Sequence, residues 1–261
     1  MTGESILLRQ DQAGIATLTL NRPKALNSLS LGLIQALRKE LVAVHNDPQV
    51  RVVIIAGAGN VFCAGHDLKE IKDAEYKNQY TTELFTECAL LMQEIVKLPK
   101  PVIARVQGVA TAAGTQLVAS CDLAIAEVGA KFATPGVNIG LFCSTPMVAL
   151  SRNVSPKHAM QMLLTGDLID AQEALNFGLV NEVVPISELE NRSLKLAEQI
   201  ASKSALTLAI GKEAFYRQLE MPLSQAYSYT RGVMIKNLES KDAQEGINAF
   251  IDKRVPTWCG Q

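Results

Sequence analysis

Two short runs carry most of the chemical information in this chain: Val61-Phe62-Cys63-Ala64-Gly65-His66-Asp67-Leu68-Lys69 and Gly108-Val109-Ala110-Thr111-Ala112-Ala113-Gly114-Thr115-Gln116-Leu117. Each follows an apolar strand-like run, packs small residues into a turn and opens a helix, so each leaves backbone N–H groups without helical partners. Two such donors facing one another stabilise a carbonyl oxygen that is gaining negative charge. The second run also lacks something. Gln116 stands where a base would be useful, yet a carboxamide takes up no proton at neutral pH. The pattern is an anion cradle without an adjacent acid or base.

The elements that must hold these turns alternate between strand and helix. Ile6 to Leu8 and Ile15 to Leu20 read as paired strands across a turn at Asp11 to Gly14, and Asn21-Arg22-Pro23 breaks them. Ile34, Leu37, Leu41 and Val44 mark one apolar helical face. Val52 to Ala56 is a strand that delivers the first turn. Tyr80 to Val96 is a helix stopped by Pro99 and Pro101, and Val102 to Val106 delivers the second turn. Asp122 to Ala126 forms another strand. After Thr165 helices dominate: Asp170-x-x-Glu173 and Ser187-x-x-Glu190 read as capping boxes, with helices near 187–202, 204–219, 223–237 and 240–253 and a short strand between Gly178 and Pro185. Recurring strand, turn and helix point to a mixed α/β core of stacked ββα units followed by a helical region that covers another subunit.

A chain of 261 residues, 48% hydrophobic and 20% charged, buries a substantial core and fits one main domain with a helical appendage. Its net charge of -1 comes from scattered residues, which argues against nucleic acid or an anionic membrane as partner. Five cysteines without C-x-x-C spacing and only three histidines give no metal constellation. Met1-Thr2-Gly3-Glu4-Ser5 has neither a basic n-region nor an Arg/Ser-rich presequence. Nor does any apolar run reach the length of roughly 18 residues that a membrane-spanning helix needs. The expectation is a reduced, cytoplasmic protein without membrane insertion.

From end to end the sequence resembles the crotonase, or enoyl-CoA hydratase/isomerase, superfamily. The matching segments are Asn21-Arg22-Pro23-Lys24-Ala25-Leu26-Asn27, Phe62 to Lys69, Gly108 to Asp122, Phe132-Ala133-Thr134-Pro135 with Gly140, Leu164-Thr165-Gly166, and Ala171-x-x-Ala174-x-x-x-Gly178-Leu179-Val180. The resemblance implies a ClpP/crotonase-like spiral of ββα units over residues 1–190, a C-terminal helical trimerisation region over 191–261, and a homotrimer or dimer of trimers. It implies an acyl-coenzyme A thioester as substrate or ligand, with no permanently bound cofactor. It assigns the two oxyanion donors to the amides of His66 and Ala113, Lys69 to the coenzyme A phosphates, and Lys24, Ala25 and Leu26 to the loop against the adenine. Ala64 and Gly114 flank the thioester, and Lys253 approaches the cofactor of a neighbouring subunit. Ala112 and Ala113 stand where the family often has glycines.

The two glutamates by which hydratases of the family activate water align with Gln116 and Gly136. An amide orients water but cannot deprotonate it, and general acid–base catalysis is worth ~10²–10⁴-fold, so hydration should be slow. An aspartate used by other relatives falls near Ser144, and a decarboxylase tyrosine near Cys143, so neither chemistry transfers. Thr115, Asn138, Cys143, Ser144 and Thr145 leave the surroundings polar but weakly basic, with Cys143 read as an inert thiol. His66 reads as pocket wall and Asp67 as a turn-fixing carboxylate. Glu83 and Glu87, sharing a helix face with Tyr80, are the remaining carboxylates that could be supplied. The readings that follow are an enzyme of fatty-acid metabolism named for hydration, a non-catalytic acyl-CoA binder, and a decarboxylase of malonyl-type thioesters.

Overall fold

The computed structural model describes residues 5–261; Met1–Glu4, where the stretch read for a presequence begins, lie outside the described residues. β1 (Leu7–Gln12) and β2 (Ile15–Leu20) form the expected hairpin, but its turn is tighter than the sequence suggests. Asp11 and Gln12 stay in the ladder opposite Ala16 and Ile15, and only Ala13 and Gly14 turn, both at positive φ. That two-residue geometry matches the right-handed twist of the flanking strands. α1 (Leu31–Asn46) starts where the Ser30 hydroxyl accepts the Leu33 N–H at 3.1 Å, and it buries Leu33, Ile34, Leu37, Leu41 and Val44 on one face.

β3 (Val52–Gly57), α2 (Leu68–Asp73), α3 (Asn78–Lys97), β4 (Val102–Val106), β5 (Val109–Thr111), α4 (Ala113–Ser120), β6 (Leu123–Glu127) and β7 (Lys131–Ala133) follow. Next come α5 (Pro146–Asn153), α6 (Pro156–Thr165), β8 (Ile169–Asp170), α7 (Ala171–Phe177), β9 (Glu182–Val184), α8 (Ile186–Ala201), α9 (Ala205–Leu219), α10 (Leu223–Leu238) and α11 (Lys241–Ile251). A six-stranded sheet runs β1-β2-β3-β4-β6-β9, parallel except for the hairpin, beside a three-stranded sheet β5-β7-β8. Strands leave in pairs, β4 in the large sheet and β5 in the small one before α4, then β6 and β7 before a 3-10 turn at Pro135–Ile139 and α5. The arrangement is the expected stack of ββα units followed by a helical C-terminal region.

The large sheet is covered on both faces, which is why β3 reads as an unbroken apolar run. Leu18, Val53, Ile55 and Ala104 face the main core with α1 and α3; Ile15, Val52, Ile54 and Ile103 face Ala197 and its neighbours on α8. α8 thus belongs to the sheet and straddles residue 190, where the core was expected to end. It also begins differently: Pro185 occupies the N-cap position, its carbonyl accepts the Glu188 N–H at 2.9 Å, and Ser187 caps nothing. The Asp170–Glu173 capping box forms as the spacing predicts, at 2.8 and 3.0 Å. β5, β7 and β8 have three, three and two residues, too few for a readable period, and went unanticipated with α5 and α6.

The strand expected from Asp122 starts one residue later because Asp122 has another task. Its carboxylate accepts the Val102 N–H at 2.7 Å, Lys212 Nζ at 2.6 Å and the Tyr216 hydroxyl at 2.9 Å. Lys212, 7% exposed, also donates to the carbonyls of Ile95 and Lys100, so one buried cation pins α9 to the ends of α3 and β4. Burial pushes the Lys212 ammonium below its ordinary pKa, and Asp122 opposes that shift. Removing one member of a buried pair strands the other, so Lys212→Met should cost about 3 kcal/mol, read as a lower urea midpoint. An unchanged midpoint would show that the pair holds nothing.

Candidate functional site

The first turn is built by a loop that lies well upstream of it. Asn27, fully buried at positive φ, donates to the carbonyls of Ala58 and Val61 at 2.8 and 2.7 Å and accepts the Arg22 N–H at 2.9 Å. Arg22 reaches Asp67 at 2.8 Å and the Ser28 carbonyl at 2.6 Å. Asp67 caps α2 by accepting the Lys69 N–H at 3.1 Å. Burial alone would raise its carboxyl pKa; the Arg22 guanidinium and the amides of Glu70 and Lys69 outweigh this and hold it below its ordinary value. Asp67 fixes the turn, as a carboxylate in such a position was expected to do. The Leu26 carbonyl accepts the Ala64 N–H at 3.1 Å, so Lys24, Ala25 and Leu26 lie alongside the turn, with Lys24 and Leu26 exposed.

The second turn is held by the small sheet. Cys63 bridges Ala110, the Thr111 N–H donates to the Cys63 carbonyl at 3.0 Å, and the Ala112 N–H donates to the Ala133 carbonyl at 2.9 Å. The Thr115 hydroxyl bonds to the carbonyls of Ala110 and Ala133, which makes it a fastener. Gly114 lies so close to Cys63 that a Cβ would fall 2.1 Å from the Cys63 carbonyl oxygen. The two turns touch at Gly65, where a Cβ would sit 3.0 Å from the Ala112 methyl and 3.5 Å from the Ala113 nitrogen.

At this contact two amides are unspent. Gly65 and Asp67 bond to Leu29, but the N–H of His66 between them finds no acceptor among the described residues, and neither does the N–H of Ala113. Ala113 is the first residue of α4, whose N-cap Ala112 has no side chain to satisfy the helix, so the positive end of the helix dipole is open there. The arrangement can hold a carbonyl oxygen or a small anion.

Asp67 is bound by Arg22, and the other side chains read for the acyl pocket are uncharged. The His66 ring stands edge-on to Phe85 at 5.0 Å, and burial pushes its pKa down to about 4. Gln116 is 4% exposed and its Oε1 has no partner among the described residues. Burial pushes the Cys143 thiol up, in keeping with an inert group. Asn138 and Ser144 are exposed. Gly136 has no room for a longer residue: a Cβ would meet the Leu141 carbonyl at 2.7 Å and Cys143 Sγ at 2.9 Å. Glu87 is not a spare carboxylate, because Arg38 binds it at 2.5 Å together with Glu94 at 2.6 Å. Glu83 is exposed, and the Tyr80 hydroxyl bonds Glu70 instead.

Lys69 is exposed at the start of α2, whereas Lys253 has no hydrogen bond or ion pair to either turn among the described residues. Sequence reasoning missed the shallow, open depression on one face of α3, formed by Thr81, Phe85, Thr86, Leu90 and Gln93 among others, which adjoins the His66 ring through Phe85. The i, i+4 spacing of Phe85, Ala89 and Gln93 was its available signal. All five cysteines are free, and among the described residues no group of three or more His, Cys, Asp or Glu is placed to hold a metal. No described helix is long and apolar enough to cross a membrane.

Two outcomes test this geometry. Below the ordinary histidine value of about 6.5, the unfolded chain takes up a proton that His66 refuses until about pH 4. Stability should therefore fall as pH drops through that window, and NMR should find the His66 ring neutral down to about pH 4. A ring that protonates near its ordinary pH refutes the burial argument. Gly136→Ala should destabilise by about 1–3 kcal/mol through overpacking; an unchanged melting temperature would mean that the Leu141–Cys143 segment yields freely.

A model of the family described as enoyl-CoA hydratase/isomerase matches residues 10–261. Enoyl-CoA hydratase domain-containing protein 3, mitochondrial, of Xenopus laevis is 51% identical over 249 residues, covering 95% of this chain and 84% of that protein. Its Homo sapiens counterpart is 47% identical over 245 residues, covering 94% and 80%. Among solved structures, an enoyl-CoA hydratase of Mycobacterium smegmatis superposes with a TM-score of 0.95 at 47% identity, over 98% of this chain and 99% of that one. Similar relatives from five vertebrates carry the word mitochondrial in their names, which overturns the expectation of a cytoplasmic protein. The physical reason is that charge balance and free thiols suit a mitochondrial interior as well as the cytosol, so composition could not choose between them.

Proposed function

This chain belongs to the enoyl-CoA hydratase/isomerase family, and from that premise we propose that it binds an acyl-coenzyme A thioester whose carbonyl oxygen accepts from the amides of His66 and Ala113. The observation that carries the reading is that both N–H groups lack acceptors among the described residues while their turns touch at Gly65. Preorganised amides and an open helix N-terminus favour the thioester oxygen most when it becomes enolate-like, and loss of one such donor typically costs about 3 kcal/mol. Lys24, Ala25 and Leu26 lie against the adenine, Lys69 meets the phosphates, Ala64 and Gly114 wall the thioester, and the acyl chain runs toward Phe85 on α3. Lys253 serves a neighbouring subunit in a homotrimer or dimer of trimers, whose contacts draw on exposed Phe215, Leu219, Tyr227 and Phe250. The names of the relatives support a mitochondrial setting, and an acyl-coenzyme A ligand fits fatty-acid metabolism.

What the site lacks sets the chemistry. Neither Gln116 nor Gly136 supplies a carboxylate, and the segment over Gly136 leaves a glutamate no place to stand. The protein therefore polarises the thioester far better than it adds water across a double bond, and binding is its primary act. On mixing with carbon-13-labelled butyryl-CoA, the infrared stretch of the thioester carbonyl should move to lower frequency, as two hydrogen bonds require. Crotonyl-CoA hydration should run ~10²–10⁴-fold below that of glutamate-bearing relatives and rise in Gln116→Glu. An unshifted carbonyl stretch overturns the amide assignment; rapid native hydration overturns the missing-base reading.

A further inference from the structure

One carboxylate joins three helices just beyond the first turn. Glu70, half-buried on α2, accepts the Leu31 N–H of α1 at 3.1 Å and the Tyr80 hydroxyl of α3 at 2.8 Å, both on the same oxygen. The Leu31 N–H is one of the four that a helix start leaves unpaired, and the Ser30 hydroxyl is already used on Leu33. A carboxylate in that place also meets the positive end of the α1 dipole. Tyr80 is held as a donor: burial and the Glu70 carboxylate push its pKa up to about 12, so the hydroxyl keeps its proton. Leu31 and Tyr80 both pack against the main core, so neither donor is a loose surface group.

Each of the three elements bears on His66. The segment leading into α1 pairs with the turn: the Leu29 N–H donates to the Gly65 carbonyl at 2.7 Å, and the Asp67 N–H donates to the Leu29 carbonyl at 3.1 Å. His66 lies between those two bonds. α2 begins directly after Asp67, and α3 carries Phe85, whose ring meets the His66 imidazole edge-on at 5.0 Å. The connection from α2 to α3 does not set this placement by preference, because Glu75 and Tyr76 both stand at φ 55°. Residues with a β-carbon adopt that left-handed region only where the surroundings impose it. Here the surroundings are the Tyr76 N–H on the Ile71 carbonyl at 3.2 Å, the Lys77 N–H on the Ala74 carbonyl at 3.0 Å and, past the loop, the bond from Tyr80 to Glu70.

We propose that Glu70 is a positioning residue for the first of the two amides: by accepting from Leu31 and Tyr80 it fixes α1, α2 and α3 against one another and so sets the direction in which the His66 N–H points. The proposal rests on the acyl-thioester reading above. Hydrogen bonds weaken steeply as the donor swings off line, and a backbone N–H moves with the segments on either side of it. Glu70 therefore acts through the His66 main chain, with no contact of its own to the thioester. A carboxylate that merely tied three helices together would change stability and leave the bound carbonyl untouched, which separates the two roles by measurement.

The test is the infrared stretch of carbon-13-labelled butyryl-CoA bound to the full chain, read beside its affinity and the melting temperature of each variant. Glu70→Ala should return the carbonyl stretch toward its free frequency and weaken binding about tenfold, the equivalent of one net hydrogen bond. Glu70→Gln, whose amide oxygen still accepts both bonds, should keep the wild-type stretch. Tyr80→Phe gives up one of the two bonds and should fall between them; should Glu70→Ala fail to fold, Tyr80→Phe decides by the same stretch. Melting temperatures that drop in Glu70→Ala and Tyr80→Phe while stretch and affinity stay at wild-type values overturn the proposal, and so does a Glu70→Gln stretch displaced as far as that of Glu70→Ala. Both results leave the thioester reading intact. A wild-type stretch that does not move on binding overturns the thioester reading itself, and the proposal with it.

Discussion

Contact between two backbone turns is the constraint from which the rest of the site follows. Gly65 and Gly114 allow it, since a side chain at either would drive into Ala112 or the Cys63 carbonyl. Ala112 shows what the contact demands. It holds φ 50° and ψ -115°. Glycine adopts such a conformation freely and alanine does not, at a cost on the order of 1–3 kcal/mol. The surrounding bonds impose that geometry, through the Ala112 N–H on Ala133 and the Gln116 N–H on the Ala112 carbonyl. The same bonds leave the next amide, that of Ala113, with nothing to do among the described residues.

The remainder of the fold works to keep the two turns where they are. β3 and β4 lie side by side in the large sheet and deliver the turns from adjacent positions, and β5 branches into the small sheet so that α4 can start against the first turn. Asn27 and Arg22 tie the early loop across the top, while Asp122 and Lys212 secure α9 at the opposite ends of the strands. Backbone donors suit such a scaffold because main-chain position survives side-chain change. The amides remain available although the flanking residues are alanines and neither Gln116 nor Gly136 carries a carboxylate.

The relation between polar groups and charge around the turns is also consistent. Arg22 is engaged by Asp67, and Arg38 by Glu87 and Glu94. On the two turns themselves, the two free amides and the unpaired His66 and Gln116 side chains are neutral. On the reading proposed above, such a site would polarise a bound carbonyl without a carboxylate base beside it.

Much of this was legible in the sequence. The apolar periods of α1 and β3, the stops at Pro99 and Pro101, the Asp170–Glu173 cap and the order of the motifs fixed the elements and the family, because these signals are local and repeat along the chain. The absence of a carboxylate at 116 and 136 was equally plain. The hairpin turn and the start of α8 were misplaced by one or two residues, since Asp11 and Ser187 also favour the conformations that their neighbours took instead. Tertiary structure alone decided that the space over Gly136 is filled, that Glu87 is bound to Arg38, that Asp122 serves α9, and that His66 stays neutral. These depend on which distant atoms share a volume and how far water is kept from them, and a linear sequence records neither.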